Sequence, residues 1–384
     1  MTGKRLAEIP GFNIDRVAAA AGDDPEVLRM ENLDTDVEVP VGVKEATKEA
    51  VDRLDANSWL PFDGKPEMKE AVADFIERRS GTRYDPLGEV VITGDDGDAM
   101  LNALFVTVDP DEEVILTDPT YAGMVNRVRL VGGVPRFVPL VPGEEGWRLD
   151  RDALQAAVGP STRAVFVMSP SLPTGHVFDA DEWEAVARVC REHDAWLIYM
   201  SWWEGIVFDG LPVLSPASLP SIRDRLVIAG SVSLEHRMIG WRIGWTVGPK
   251  AIRSDLSKMQ IYNALVPSGI LQAGARVALS EPPEDLARVV AEFQRRRDET
   301  LRQLDGFPVV RPSGGWSLLM DTQALGIDCA DASKRMLEQK VAATQMRGWG
   351  ADVADRYLRF VYSREPVERL KSLGERARAA LGSS

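Results

Sequence analysis

The 384-residue chain is 45% hydrophobic, enough for one large domain and a smaller companion, each with a buried core. Its formal charge of −14, from 45 basic against 59 acidic residues, excludes a general nucleic-acid or anionic-membrane role, because those surfaces require net positive potential. Two cysteines, Cys190 and Cys329, and three histidines, His176, His193 and His236, supply neither a disulfide framework nor a ligand cluster, so no metal is expected.

Met1 to Pro10 carries no apolar signal-like run, and no stretch reaches the roughly 18 apolar residues that span a bilayer, so a cytoplasmic location is expected. Downstream, Met68, Val72, Phe75 and Ile76 share one helical face and predict a helix over 66–79. Short β-rich runs follow at 89–93, 113–117, 163–168, 195–200 and 226–230. Between the third and fourth, Trp183, Val186, Ala187 and Cys190 predict a helix over 181–193. Strands alternating with helices are the pattern of an α/β fold with a parallel sheet and crossover helices. A charged helix over 281–304, a β-like run at 314–320, a strand at 357–362 and a last helix predict a smaller C-terminal α/β domain. The expected divisions are 1–44 for an N-terminal arm and part of the small domain, 45–275 for the large domain and 276–384 for the small one. No G-x-G-x-x-G follows a strand and no phosphate-loop motif occurs, so NAD and ATP lack support.

Five segments in order resemble class I/II aminotransferases, enzymes of pyridoxal phosphate (PLP) fold type I. They are NSWLPFDGKPEM (57–68), DPTY (118–121), SPSLPTG (169–175), GSVSLEHRMIGWRIGWTVGP (230–249) and YLRF (357–360). The resemblance implies a large domain with a mainly parallel seven-stranded sheet flanked by helices, a smaller α/β C-terminal domain, and a homodimer with its active site at the subunit interface.

Residue by residue, the pattern departs from the family. Leu234 falls where the Schiff-base lysine is expected, Leu172 on the ring-hydroxyl asparagine, Met200 on the aspartate that protonates the pyridine nitrogen, Trp203 on a tyrosine, and Trp59 on the tyrosine that a neighbouring subunit sends to the phosphate. A thioether cannot keep the pyridine protonated, and leucine can be neither covalent anchor nor proton shuttle. Ser231 and Arg242 match phosphate ligands and Ser233 is nearby, yet the loop TGDDGD (93–98) places carboxylates where backbone N–H groups should face a phosphate. Asp95 or Asp96 is therefore expected to replace the phosphate as counter-charge of Arg242; the plainer reading is a solvated acidic turn.

Leu172, Met200, Trp203 and Leu234 together make the cofactor cavity apolar, either by filling it or by lining a new pocket with Tyr121, Trp202 and Trp203 as aromatic walls. Arg359 reads as a clamp for a substrate carboxylate, with a structural salt bridge as the alternative. His236, Tyr121 and Glu204 are the acid/base candidates, His236 because it lies two residues past Leu234, Glu204 because desolvation would raise its pKa. The expectation is a PLP-independent enzyme without cofactor, acting on a small amino-acid-derived carboxylate in specialised metabolism by cyclisation, elimination, isomerisation or condensation. The alternatives are a non-catalytic homologue acting as binding or partner protein, and an enzyme holding PLP or pyridoxamine phosphate non-covalently.

Overall fold

The computed structural model describes residue 6, residues 9 to 11 and residues 13 to 382; residues 1–5, 7, 8 and 12 of the expected N-terminal arm lie outside the described residues. The first strand, β1 (Leu28–Arg29), pairs in parallel with a segment far along the chain, Val341–Ala342, so the N-terminal region joins the small domain.

The large sheet is built from β2 (Val90–Thr93), β3 (Glu113–Asp118), β4 (Val134–Gly143), β5 (Gly146–Leu149), β6 (Thr162–Met168), β7 (Trp196–Met200), β8 (Leu226–Ser231) and β9 (Gly244–Val247). Their order is β2-β9-β8-β7-β6-β3-β4-β5. β3, β4, β6, β7 and β8 run parallel, whereas β9 lies antiparallel between β8 and β2. Every residue of β2, β8 and β9 is buried, as a sheet covered on both faces requires. The count is eight rather than the expected seven because β5 folds back antiparallel on β4, Leu140 opposite Leu149. β4 escaped the sequence pattern because Pro135, Pro139 and Pro142 read against a strand, and it is tolerated close to the sheet edge.

The smaller sheet is antiparallel, in the order β10 (Val309–Val310), β11 (Ser317–Asp321), β14 (Tyr357–Val361), β13 (Thr344–Gln345), with β12 being the Val341–Ala342 partner of β1. A 21-residue helix, Pro283–Gln303, leads into it. Trp316 joins the two parts: its ring centroid lies 5.8 Å from Trp203 of the large domain and 5.1 Å from Phe293 of that helix.

The parallel strands carry the loops of interest on one edge. Asp95 follows β2, Tyr121 follows β3, Leu172 follows β6, Trp202 follows β7 and Leu234 follows β8, all beyond carboxyl ends. Ligands of open α/β sheets bind at that edge.

Candidate functional site

A cleft of about 430 Å³ opens at this edge, walled by Asp95, Asp96, Tyr121, Trp202, Leu234 and Arg242. The apolar replacements therefore do not fill the whole space. A larger cavity, about 680 Å³, lies in the small domain between Asp328 and Arg356, away from the strand ends.

Two glycines let the walls close in. A Cβ on Gly244 would stand 2.5 Å from the Asp95 carbonyl carbon, and one on Gly123 would stand 2.3 Å from the Tyr121 ring. With both absent, the Asp95 backbone settles on β9 and the Tyr121 ring folds back over the start of its own helix, Ala122–Val131. Trp202 meets Tyr121 edge-on at 5.1 Å and Trp349 meets it from another side at 6.1 Å. The loop bearing Trp349 is fixed to the end of β3: Thr120 N–H donates to the Trp349 carbonyl at 2.6 Å, and Asp118 accepts from Val353 and Ala354 at 3.2 and 3.1 Å.

At the polar end, Asp95 forms an ion pair with Arg242 and accepts a hydrogen bond from Ser233 Oγ at 3.0 Å. Arg242 adopts a left-handed backbone, φ 51°, and donates also to the Ile239 carbonyl at 2.7 Å. Asp96 is buried, and burial pushes its pKa up to about 6 against the opposing pull of Arg127, Ser231 and Trp202. Arg127 and Asp98 also line the cleft. Asp98 belongs to the acidic loop that the sequence singled out, but Arg127 was passed over; it lies six residues after Tyr121 on a helix whose other polar residues gave no signal.

Arg359, on β14, has no solvent exposure. Its Nη2 donates to the Glu31 carbonyl, while Nε and Nη1 have no hydrogen-bond partner among the described residues. The guanidinium lies over the Trp349 ring, 4.6 Å from its centroid, and its charge reaches Tyr121. The Glu31 carboxylate is held by Arg29 at 2.6 Å and, from beyond contact distance, acts electrostatically on Arg359. Burial pulls the pKa of Arg359 well below the ordinary arginine value.

Several candidates are not brought to the cleft. His236 and Glu235 turn under the sheet toward the helix Pro66–Ser80: His236 packs on Phe75, ring centroids 5.5 Å apart, with Nδ1 3.3 Å from Glu281, and Glu235 pairs with Arg79. Glu204 lies in the same interior, accepting from the Tyr199 hydroxyl at 2.7 Å, with its pKa raised by burial. These positions correct the acid/base expectation for His236 and Glu204. Trp203 is corrected as an aromatic wall, since its Nε1 donates to the Pro170 carbonyl at 2.7 Å and its ring faces Trp316. Leu172 and Met200 are buried interior packing, and Trp59 is 75% exposed on the outside of the chain. Of the acid/base candidates, Tyr121 alone lines the cleft.

A mainly parallel sheet in which β5 and β9 run antiparallel, a second antiparallel domain and a cleft beyond the carboxyl ends of the parallel strands define an α/β scaffold of the kind that binds small molecules at that edge. The family model "Aminotransferase class I and II" matches residues 28–374, and the chain belongs to that family. It is 33% identical to the aspartate/prephenate aminotransferase of Cereibacter sphaeroides over 349 residues, 89% of this chain and 86% of that one. It is 31% identical to the arginine–pyruvate transaminase of Pseudomonas aeruginosa over 330 residues, 84% and 82% of the two chains. The solved Thermus thermophilus aspartate aminotransferase mutant complexed with tryptophan superposes with a TM-score of 0.91 at 29% identity, covering 99% of each chain.

These relatives correct two expectations. Proteins named transaminases over most of their length overturn the reading of a PLP-independent enzyme, and with it the expectation of no cofactor, since the family is a PLP-dependent one.

Proposed function

We propose that the chain is a divergent aminotransferase, in which Leu234 stands where the family keeps its Schiff-base lysine, and that it takes amino acids or 2-oxo acids by their carboxylate on Arg359. One observation carries this reading: a wholly buried guanidinium with two nitrogens unpartnered among the described residues. A buried donor left unpaired costs about 1–3 kcal/mol, more when charged, and a ligand carboxylate is the group that relieves it. The relatives are named for aspartate, prephenate, arginine and pyruvate, all carboxylates, and the amino-group transfer they are named for is the reaction class this reading belongs to.

The residues were tested against the family's cofactor. Ser231, Ser233 and Arg242 stand at the phosphate position, but Asp95 already pairs with Arg242 and Asp96 is buried beside them. Leu234 on the cleft wall offers no amine, and neither Met200 nor Leu172 can serve the pyridine ring. They do not fit PLP as the family holds it. What the chain retains is recognition of the substrate carboxylate.

A homodimer belongs to the same proposal, because Leu54, Trp59 and Tyr262 are 81%, 75% and 86% exposed, and a second copy is the surface that covers them. A cytoplasmic location is kept with it; no helix among the described residues is long and apolar enough to cross a membrane.

Calorimetry with neutral amino acids and their 2-oxo acids should show binding that falls about 10- to 100-fold in Arg359→Gln, the range of a charged hydrogen bond. Amino-group exchange, assayed with PLP supplied, should be compared between the wild type and Leu234→Lys. A wild-type protein that binds no carboxylate, or an Arg359→Gln variant that binds as well as wild type, overturns the reading.

A further inference from the structure

The donors that resemble phosphate ligands are each engaged by a carboxylate of this chain. Arg242 forms an ion pair with Asp95, and its Nη1 donates to the Ile239 carbonyl at 2.7 Å. Ser233 Oγ donates to the same Asp95 at 3.0 Å, and the Ser231 hydroxyl hydrogen-bonds to Asp96. The helix Asp96–Thr107 would offer its first N–H groups to a phosphate, yet it carries Asp96 and Asp98 in its own first turn, so its positive end is answered as well.

The charges that line the cleft point the same way. Among the described residues they are Asp95, Asp96 and Asp98 against Arg127 and Arg242. Arg127 acts on both Asp96 and Asp98, while its Nε and Nη1 donate to the Gly97 and Gly123 carbonyls at 3.1 and 3.0 Å. Asp98 accepts a further hydrogen bond from Asn263 at 3.3 Å. Three carboxylates facing two guanidiniums leave an excess of negative charge, so an entering phosphate dianion meets like charge.

The rest of the lining is apolar and aromatic. Leu33, Leu234 and Ile239 join Tyr121 and Trp202, whose rings meet edge-on at 5.1 Å. Walls of this kind suit a flat ring, and aromatic faces favour a cation over an anion beside them.

We propose that the cleft selects a small planar aromatic ligand that carries no phosphate and has zero or positive charge, pyridoxamine being the member of that class nearest to the family's cofactor. The Asp95–Arg242 pair is the filter. A hydroxymethyl arm can hydrogen-bond to the paired groups without parting them, whereas a phosphate has to replace Asp95 on Arg242. The inference goes beyond the carboxylate reading and does not use Arg359. The probes of its test carry no carboxylate, so either reading can fail while the other stands.

The test is calorimetry on the full chain with pyridoxamine and pyridoxamine 5′-phosphate, two amines that differ by the phosphate and form no Schiff base with lysines. It is run at pH 8, above the titration of Asp96, whose pKa burial pushes up to about 6. Wild type should bind pyridoxamine more tightly than its phosphate ester by about tenfold or more. Asp95→Asn frees Arg242 and Ser233 together, so it should tighten the ester by about tenfold and leave pyridoxamine within about twofold, the usual error between independent effects. Tyr121→Leu should weaken both probes by about 3- to 10-fold, the range of an aromatic contact, and keep their ratio. A wild-type protein that binds the ester as tightly as pyridoxamine, or that binds neither, overturns the proposal, as does an unchanged ratio in Asp95→Asn. If Asp95→Asn folds poorly, Asp98→Asn serves in its place: removal of one partly screened charge should narrow the preference by about threefold, and an unaltered preference there counts against the proposal in the same way.

Discussion

Asp95 and Arg242 are joined by an ion pair at the polar end of the cleft, so the arginine that resembles a phosphate ligand is already occupied by a carboxylate of its own chain. Ser233 donates to the same carboxylate. Replacing Asp95 by Asn should free the guanidinium and raise the affinity for inorganic phosphate. Arg242 keeps 51% of its side chain exposed, so solvent screens the pair and a gain of roughly tenfold is the expected size. Phosphate titration followed by calorimetry checks it; equal affinity in both proteins would show that Asp95 does not compete for the arginine.

Asp96 gives a pH dependence of stability whose sign is fixed. Its folded pKa, about 6, lies above the ordinary aspartate value of about 3.9, so the folded state holds the proton more tightly than the unfolded one. The groups that face it are Asp95 and Asp98 from its own helix end, Arg127 and Tyr121 from the helix after β3, and Ser231 and Arg242 from the β8–β9 segment. Its contribution is greatest below about pH 4 and is lost as pH rises through 6. Asp96→Asn removes that loss, so the variant should gain on wild type by up to about 2–3 kcal/mol between pH 4 and pH 7, at about 1.4 kcal/mol per pKa unit. Urea unfolding of both proteins at the two pH values measures this. A difference that does not change with pH would place the proton elsewhere.

Glu204 should behave as a structural residue. Glu204→Gln keeps an acceptor for the Tyr199 hydroxyl, removes a buried charge, and should leave ligand affinity unaltered with equal or higher thermal stability. Glu204→Ala leaves that hydroxyl without its carboxylate and should destabilise by about 1–3 kcal/mol. A Gln variant that melts normally but no longer binds carboxylates would return Glu204 to the cleft.

The exposed apolar side chains of Leu54, Trp59 and Tyr262 predict self-association. Sedimentation of the wild type should show a dimer, and Leu54→Asp together with Trp59→Asp should shift it to monomer at micromolar concentration, because charges at the centre of a dry interface are costly. A wild-type monomer at the same concentration would show that something other than a second copy covers these residues.

Much of the fold was legible because it is written in local patterns. The buried runs that became β3, β6, β7 and β8 are continuous and apolar, and the helix Pro66–Ser80 shows its stripe plainly. β4 was hidden by three prolines, and β9 by lying within a motif that reads as a loop. For the site, the sequence named Asp95, Tyr121, Trp202, Leu234 and Arg242, which meet in the cleft. It misplaced His236, Glu204 and Trp203, because the direction a side chain takes after a strand end depends on what packs against the turn: Phe75 and Arg79 draw one group under the sheet, and Trp316 draws Trp203.

The sequence by itself determined the α/β architecture, the order of the segments and the identity of Leu234, since periodicity and motif spacing are properties of the chain. The tertiary structure alone decided which charges are answered. Asp95 meets Arg242 and Glu31 is taken by Arg29, whereas among the described residues Arg359 and Asp96 form no ion pair and feel Glu31 and Arg127 only from beyond contact. Asp95 and the Ser233 hydroxyl that donates to it lie 138 residues apart, and such contacts are set by distance in space rather than by position along the chain.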